Sequence, residues 1–250
     1  MGLILVFDLD QTIINTDARG VFPGVYPMTE EYKNLLKEQI NPKVLDILLR
    51  AAKLRRIGVD AIFLLTNNSN PNYVANIDAL LLELSNNSLG QYKKRKGPFV
   101  TEDIPGTDFF FDYIMTANHP YRRDMTKSAH EIEYMMGYLG MSMSVGDLFS
   151  RLYFFDDVSN HEIRRELKNY SDGKYSDHYI FITPPFAVGY DDRTNYQPIE
   201  NALNEFETSK IIIVVQGGNR YKKKYLKKYT KSKLKLKMYL RRRNKTRRKV

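Results

Sequence analysis

Residues 4–7, Ile-Leu-Val-Phe, set four large apolar side chains in succession and are followed at once by Asp8-Leu9-Asp10. A strand wetted on one face alternates apolar and polar residues, so an unbroken apolar run predicts a strand covered on both faces, as in a parallel sheet between helical layers. Similar runs at 61–65, 109–115, 152–155 and 179–182 predict four more strands. Between them the apolar spacing turns helical. Pro42 opens a helix carrying Val44, Leu45, Leu48, Leu49 and Ala52 on one face, with a stop near Gly58. Pro71 opens another with Val74, Ile77, Leu81 and Leu84, and Ser69 and Asn70 are its cap candidates. Segments 126–139 and 159–170 read as two further helices, the second with Ser159 as N-cap and Glu162 three residues on. Residues 86–106 read as a polar loop, 198–206 as a last helix and 211–215 as an edge strand. This alternation predicts an α/β fold with a doubly wound, mostly parallel sheet.

Charge divides the chain unevenly. Of its 39 Lys and Arg, 17 lie in 220–250, which holds no acid, so residues 1–219 carry 22 basic against 29 acidic side chains. An acidic domain over 1–219 and a basic tail over 220–250 are therefore expected. The tail's cations and interleaved tyrosines suit phosphate contacts and base stacking, which makes nucleic acid a candidate partner. Solubilisation, nuclear targeting, or contact with an anionic membrane or acidic protein are the alternatives. Its composition is similar to Lys/Arg-rich endings of large DNA virus proteins. The chain has no cysteine, which excludes disulfides, thiolate nucleophiles and sulfur-ligated zinc and favours an intracellular setting, cytoplasmic or nuclear. Residues 3–7 are too short a run for a signal peptide or membrane span.

Three apolar runs end in polar groups: Asp8-Leu9-Asp10-Gln11-Thr12, Thr66-Asn67-Asn68 and Asp156-Asp157. In a parallel sheet those ends share one edge, so the carboxylates converge. Like charges about 4 Å apart repel by roughly 4 kcal/mol per pair at an effective dielectric near 20. A divalent cation with oxygen ligands relieves this, and Mg²⁺ fits because it needs few carboxylates and completes its shell with water and phosphate. None of His119, His130, His161 and His178 has a partner at metal spacing, so surface or helix roles are expected for them. The aromatic cluster Phe109, Phe110, Phe111 and Tyr113 reads as core.

The ordered set Asp8-x-Asp10-x-Thr12, Thr66, a basic residue and Asp156-Asp157 resembles the haloacid dehalogenase-like phosphatase superfamily over about residues 3–160. In motif it looks most like capless CTD-type or polynucleotide phosphatases. The resemblance implies a Rossmannoid fold and a Mg²⁺-dependent phosphomonoesterase. It makes Asp8 the nucleophile and Asp10 the general acid and base. Thr66 becomes a phosphoryl ligand, with Thr12 and Asn67 binding substrate. Asp8, the carbonyl of Asp10, Asp156 and Asp157 become the Mg²⁺ ligands. Lys127 is the expected basic residue, at a helix start after the third strand, with Arg122 and Arg123 as alternatives. Little cap insertion is expected, which leaves the site open to a phosphate on a macromolecule or nucleotide. The other class of function is a catalytically vestigial member of the fold that binds nucleic acid or serves a structural role. The substrate and oligomeric state stay open.

Overall fold

The computed structural model describes residues 2–16, 28–55, 57–85, 109–122 and 124–216, the last eight of these through their backbone alone. By internal contacts the chain divides into residues 1–206 and 207–250. The expected loop at 86–106, Arg123 and the tail at 220–250 lie outside the described residues.

Five strands, β1 (Leu3–Phe7), β2 (Val59–Leu65), β3 (Tyr113–Met115), β4 (Leu152–Asp156) and β5 (Tyr179–Phe181), form one parallel sheet in the order β3-β2-β1-β4-β5. The apolar run of β1 pairs on both sides, Phe7 lying opposite Leu64 of β2 and Phe155 of β4. The Phe7 and Phe155 rings stack with centroids 4.3 Å apart. Pleating sends Leu3, Leu5 and Phe7 to one core and Ile4 and Val6 to the other. The first core lies under α1 (Glu30–Glu38), α2 (Pro42–Lys53), α3 (Pro71–Leu84) and the start of α7 (Gln197–Gln216). The second lies under α4 (Ala129–Tyr138), α5 (Val145–Arg151) and α6 (Glu162–Asn169). Both faces of the sheet are thus covered, which is why its strands carry no polar alternation.

The helix starts follow local chemistry. Asn41 accepts from the backbone N–H groups of Lys43 and Val44 at 3.0 and 3.3 Å, with Pro42 in the first turn of α2. Asn70 rather than Ser69 caps α3, accepting from Tyr73 N–H at 3.1 Å. Helix α2 ends in an αR cap at Leu54, before Gly58.

Several expectations are corrected. The strand expected at 109–115 shrinks to its last three residues, because Phe110 and Phe111 donate their backbone N–H groups to the buried Asp78 carboxylate at 3.1 and 3.0 Å and so leave the ladder. The helix expected from Thr126 starts at Ala129, where Ser128 and Glu131 form a capping box. The helix placed from Ser159 starts at Glu162 with His161 as N-cap, so Ser159 does not cap it. Residues 211–215 continue α7 and form no strand. Helices α1 and α5 were not anticipated, since each is too short to show a sustained apolar period; Thr29 and Ser144 cap them. Among the described residues no helix is long and apolar enough to cross a membrane.

Candidate functional site

In the order β3-β2-β1-β4-β5 the chain reverses direction of travel across the sheet between β1 and β4, and open α/β sheets bind ligands at the carboxyl ends of strands beside such a switch point. Asp8 follows β1 there and Asp156 ends β4, and Asp8 N–H donates to Phe155 O at 2.9 Å. Their side chains meet at one cation. Lys127 Nζ lies 2.6 Å from Asp8 Oδ1 and 2.6 Å from Asp156 Oδ2, and all three side chains are almost wholly buried. Among the described residues Lys127 is therefore the basic residue of the cluster; it sits just before the α4 cap Ser128.

Burial pushes Asp8 and Asp156 above the ordinary carboxylate range, and the Lys127 charge opposes that shift in both. Burial also works against the Lys127 ammonium, but the two carboxylates outweigh it and hold its pKa above the usual lysine value. The paired 2.6 Å contacts identify Lys127 as a charged ammonium shared by two acids.

Asp10 is half-buried, and burial followed by the charge of Asp8 raises it to about 6. Asn68 opposes the shift by donating Nδ2 to both carboxylate oxygens at 3.2 Å. The Asp10 turn is held from outside. Gln11 takes a positive φ of 56° and its carbonyl accepts from Phe186 N–H at 2.7 Å. Thr12 is fully buried, and its hydroxyl has no hydrogen-bond partner among the described residues.

At the end of β2, Thr66 is buried and its Oγ1 accepts from Asn68 N–H at 3.0 Å. Asn67 spends its side chain within the protein, donating to Met125 O at 3.0 Å and accepting from Arg122 at 2.6 Å. Arg122 also donates to Thr66 O and Asp124 O, so its guanidinium braces the loop after β2 rather than entering the carboxylate cluster. Asn68, the residue that reaches Asp10, carries no separate sequence signal beyond its place in Thr66-Asn67-Asn68.

Asp157 is half-buried. Burial first, then the charges of Asp8 and Asp156, lift it to about 7. Ligand oxygens of Asp8, Asp156 and Asp157 all lie within 4.8 Å of one another. Hard divalent cations take oxygens at about 2.0–2.6 Å, so donors on one ion stand up to roughly 5 Å apart. The donor set and the mutual repulsion that raises Asp157 both fit such an ion, and this acidic triad could hold a metal. Asp10 contributes no side-chain oxygen to the triad.

Two histidines expected at surface or helix positions are buried, His119 and His161. His119 accepts from Tyr121 N–H through Nδ1 at 3.1 Å and meets the Tyr113 hydroxyl through Nε2 at 3.1 Å, within a cluster of tyrosines. His161 instead lies beside the ion cluster: Nδ1 accepts from Lys127 N–H at 3.2 Å, and Nε2 is 3.5 Å from Asp156 Oδ2. Burial, with the Lys127 charge, lowers its pKa to about 4. Comparison of the chain with protein-family models, curated proteins and solved structures yields no match.

Proposed function

We propose that this protein is a divalent-cation-dependent phosphomonoesterase working through an aspartyl-phosphate, with Mg²⁺ as the cation. The observation that carries the reading is Lys127 held at 2.6 Å from both Asp8 and Asp156 at the switch point of the sheet. A buried ammonium between two acids opposes the burial that raises Asp8 and so favours its ionised form, which a carboxylate nucleophile requires. Asp10, at about 6, keeps a useful protonated fraction near neutrality and suits the acid role.

In this mechanism a carboxylate oxygen of Asp8 attacks phosphorus while the bond to the leaving oxygen breaks. Asp10 gives that oxygen its proton. Asp10, now ionised, takes a proton from water, whose oxygen attacks phosphorus and releases Asp8 with inorganic phosphate. The Thr66 hydroxyl, whose oxygen already accepts from Asn68 N–H, donates a hydrogen bond to a phosphoryl oxygen. Asp8, Asp156 and Asp157, with the Asp10 carbonyl, would hold Mg²⁺, which when bound neutralises phosphoryl charge and orients the in-line displacement. Asn67, with both polar groups engaged internally, serves by holding the Thr66 loop. The basic segment 220–250 favours a phosphate carried on nucleic acid.

Phosphate release is measured from an aryl phosphate, phosphopeptides, 3′- and 5′-phosphorylated oligonucleotides and mononucleotides, each with Mg²⁺ or with a chelator. Mg²⁺-dependent release from at least one of them is expected. No release from any of them would overturn the proposal.

A further inference from the structure

His161 is the N-cap of α6, yet its side chain caps nothing. Thr29, Asn41, Asn70 and Ser144 each turn their side chains back onto their own helices. The imidazole of His161 turns away from α6 and toward Lys127, where Nδ1 accepts the backbone N–H. A ring nitrogen that accepts carries a lone pair, so the proton of the neutral ring is on Nε2. That N–H faces Asp156 Oδ2 across 3.5 Å, the same oxygen that Lys127 Nζ contacts at 2.6 Å. The side chain is 6% exposed and Nε2 has no hydrogen bond among the described residues.

The first turn of α6 holds the lysine a second time, since Ile163 N–H donates to Lys127 O at 2.9 Å. Both backbone polar groups of Lys127 are thus fixed by α6, although the residue belongs to no helix or strand. A lysine has four rotatable side-chain bonds, so two contacts at 2.6 Å require its Cα to be set independently of the ammonium. Among the four histidines only His161 serves this place. His119 lies among tyrosines, His130 stacks on Tyr121, and His178 stacks on Tyr153 and bonds Phe149 O.

We propose that His161 is a positioning residue, which fixes Lys127 through its backbone with Nδ1 and restrains the Asp156 carboxylate with Nε2–H. This rests on the reading of Asp8, Lys127 and Asp156 as the reacting core. The buried Nε2–H is one short displacement from a hydrogen bond to Asp156.

Two measurements on the full chain test it. Imidazole ¹⁵N NMR of the histidine-labelled protein at neutral pH should give His161 as one neutral Nε2–H tautomer; an Nδ1–H tautomer or averaging between the two overturns the inference. On an aryl phosphate, His161→Ala should lower kcat by about 10–100-fold, the range for partners that orient ligating side chains, with KM little changed. His161→Asn, which keeps an acceptor near Lys127 N–H but no donor toward Asp156, should fall between. A folded His161→Ala variant with wild-type kcat overturns the inference. A wild type that shows the expected tautomer but no turnover on any substrate overturns the phosphatase reading instead, and leaves the positioning of Lys127 supported.

Discussion

Lys127 and Asp156 meet at 2.6 Å in the interior, the lysine side chain 1% exposed and the aspartate not at all. Removing one member of a buried pair leaves the other as an uncompensated charge, which costs far more than the pair contributes. Here the lysine also serves Asp8, so its loss strands two carboxylates. Lys127→Met should lose about 3–5 kcal/mol of stability in urea unfolding. Adding Asp156→Asn to that variant should recover part of the loss, because the two positions share one interaction.

Asp8→Asn keeps the side-chain shape but removes the proposed nucleophile. The variant should remain folded and lose at least about 10³-fold in kcat on an aryl phosphate, in line with removal of a reacting group. Comparison of steady-state rates with circular dichroism of both proteins checks this. Equal activity would remove Asp8 from the nucleophile role.

In the proposed mechanism Asp10 acts first as an acid, so turnover limited by leaving-group protonation should decline as pH rises through about 6. Asn68 donates to the Asp10 carboxylate and favours its ionised form. Asn68→Ala should therefore raise the Asp10 pKa and move the alkaline limb of the kcat profile upward by about one unit, the equivalent of a charge-assisted hydrogen bond of about 1.4 kcal/mol. A limb unmoved or shifted downward would contradict the assignment.

Asp78 is fully inside the protein, and burial raises it to about 7 against two backbone hydrogen bonds. In the unfolded chain it titrates near 3.8. Between these values the folded state holds a proton that the unfolded state has released. The contribution of Asp78 is thus fully present below about pH 4 and is lost as pH rises toward 7, by up to about 1.4 kcal/mol per unit. Asp10 and Asp157 act in the same sense. Unfolding free energies measured from pH 4 to 7 should fall less steeply in Asp78→Asn than in the wild type.

The 17 cations of residues 220–250 should make nucleic acid binding steeply dependent on salt. Deleting the segment should abolish that binding in titrations at low and high salt, while turnover of a small aryl phosphate persists. Salt-sensitive binding that survives the deletion would assign it elsewhere.

Much of this architecture is legible locally. Four consecutive apolar residues before Asp8, and again before Asp156, mark doubly covered strands whose ends are polar, and the described structure places both ends together. Pro42 and Pro71 mark helix starts because proline suits a first turn wherever it occurs. Where local signals failed, a distant partner had intervened. Asp78 of α3 took the backbone of Phe110 and Phe111 out of β3, and the Lys127 segment made His161 rather than Ser159 the start of α6.

Apolar period, turn residues and acid spacing are properties of neighbours along the chain, so the sequence by itself determined the α/β alternation and which strand ends would carry Asp8, Thr66 and Asp156. Which cation would enter the cluster depends on desolvation and on backbone held from afar. Lys127 and Arg122 lie in one short loop with similar charge, and only the docking of α6 onto Lys127, with the capture of Arg122 by Asn67 and Thr66 O, separated the buried ammonium from the loop brace.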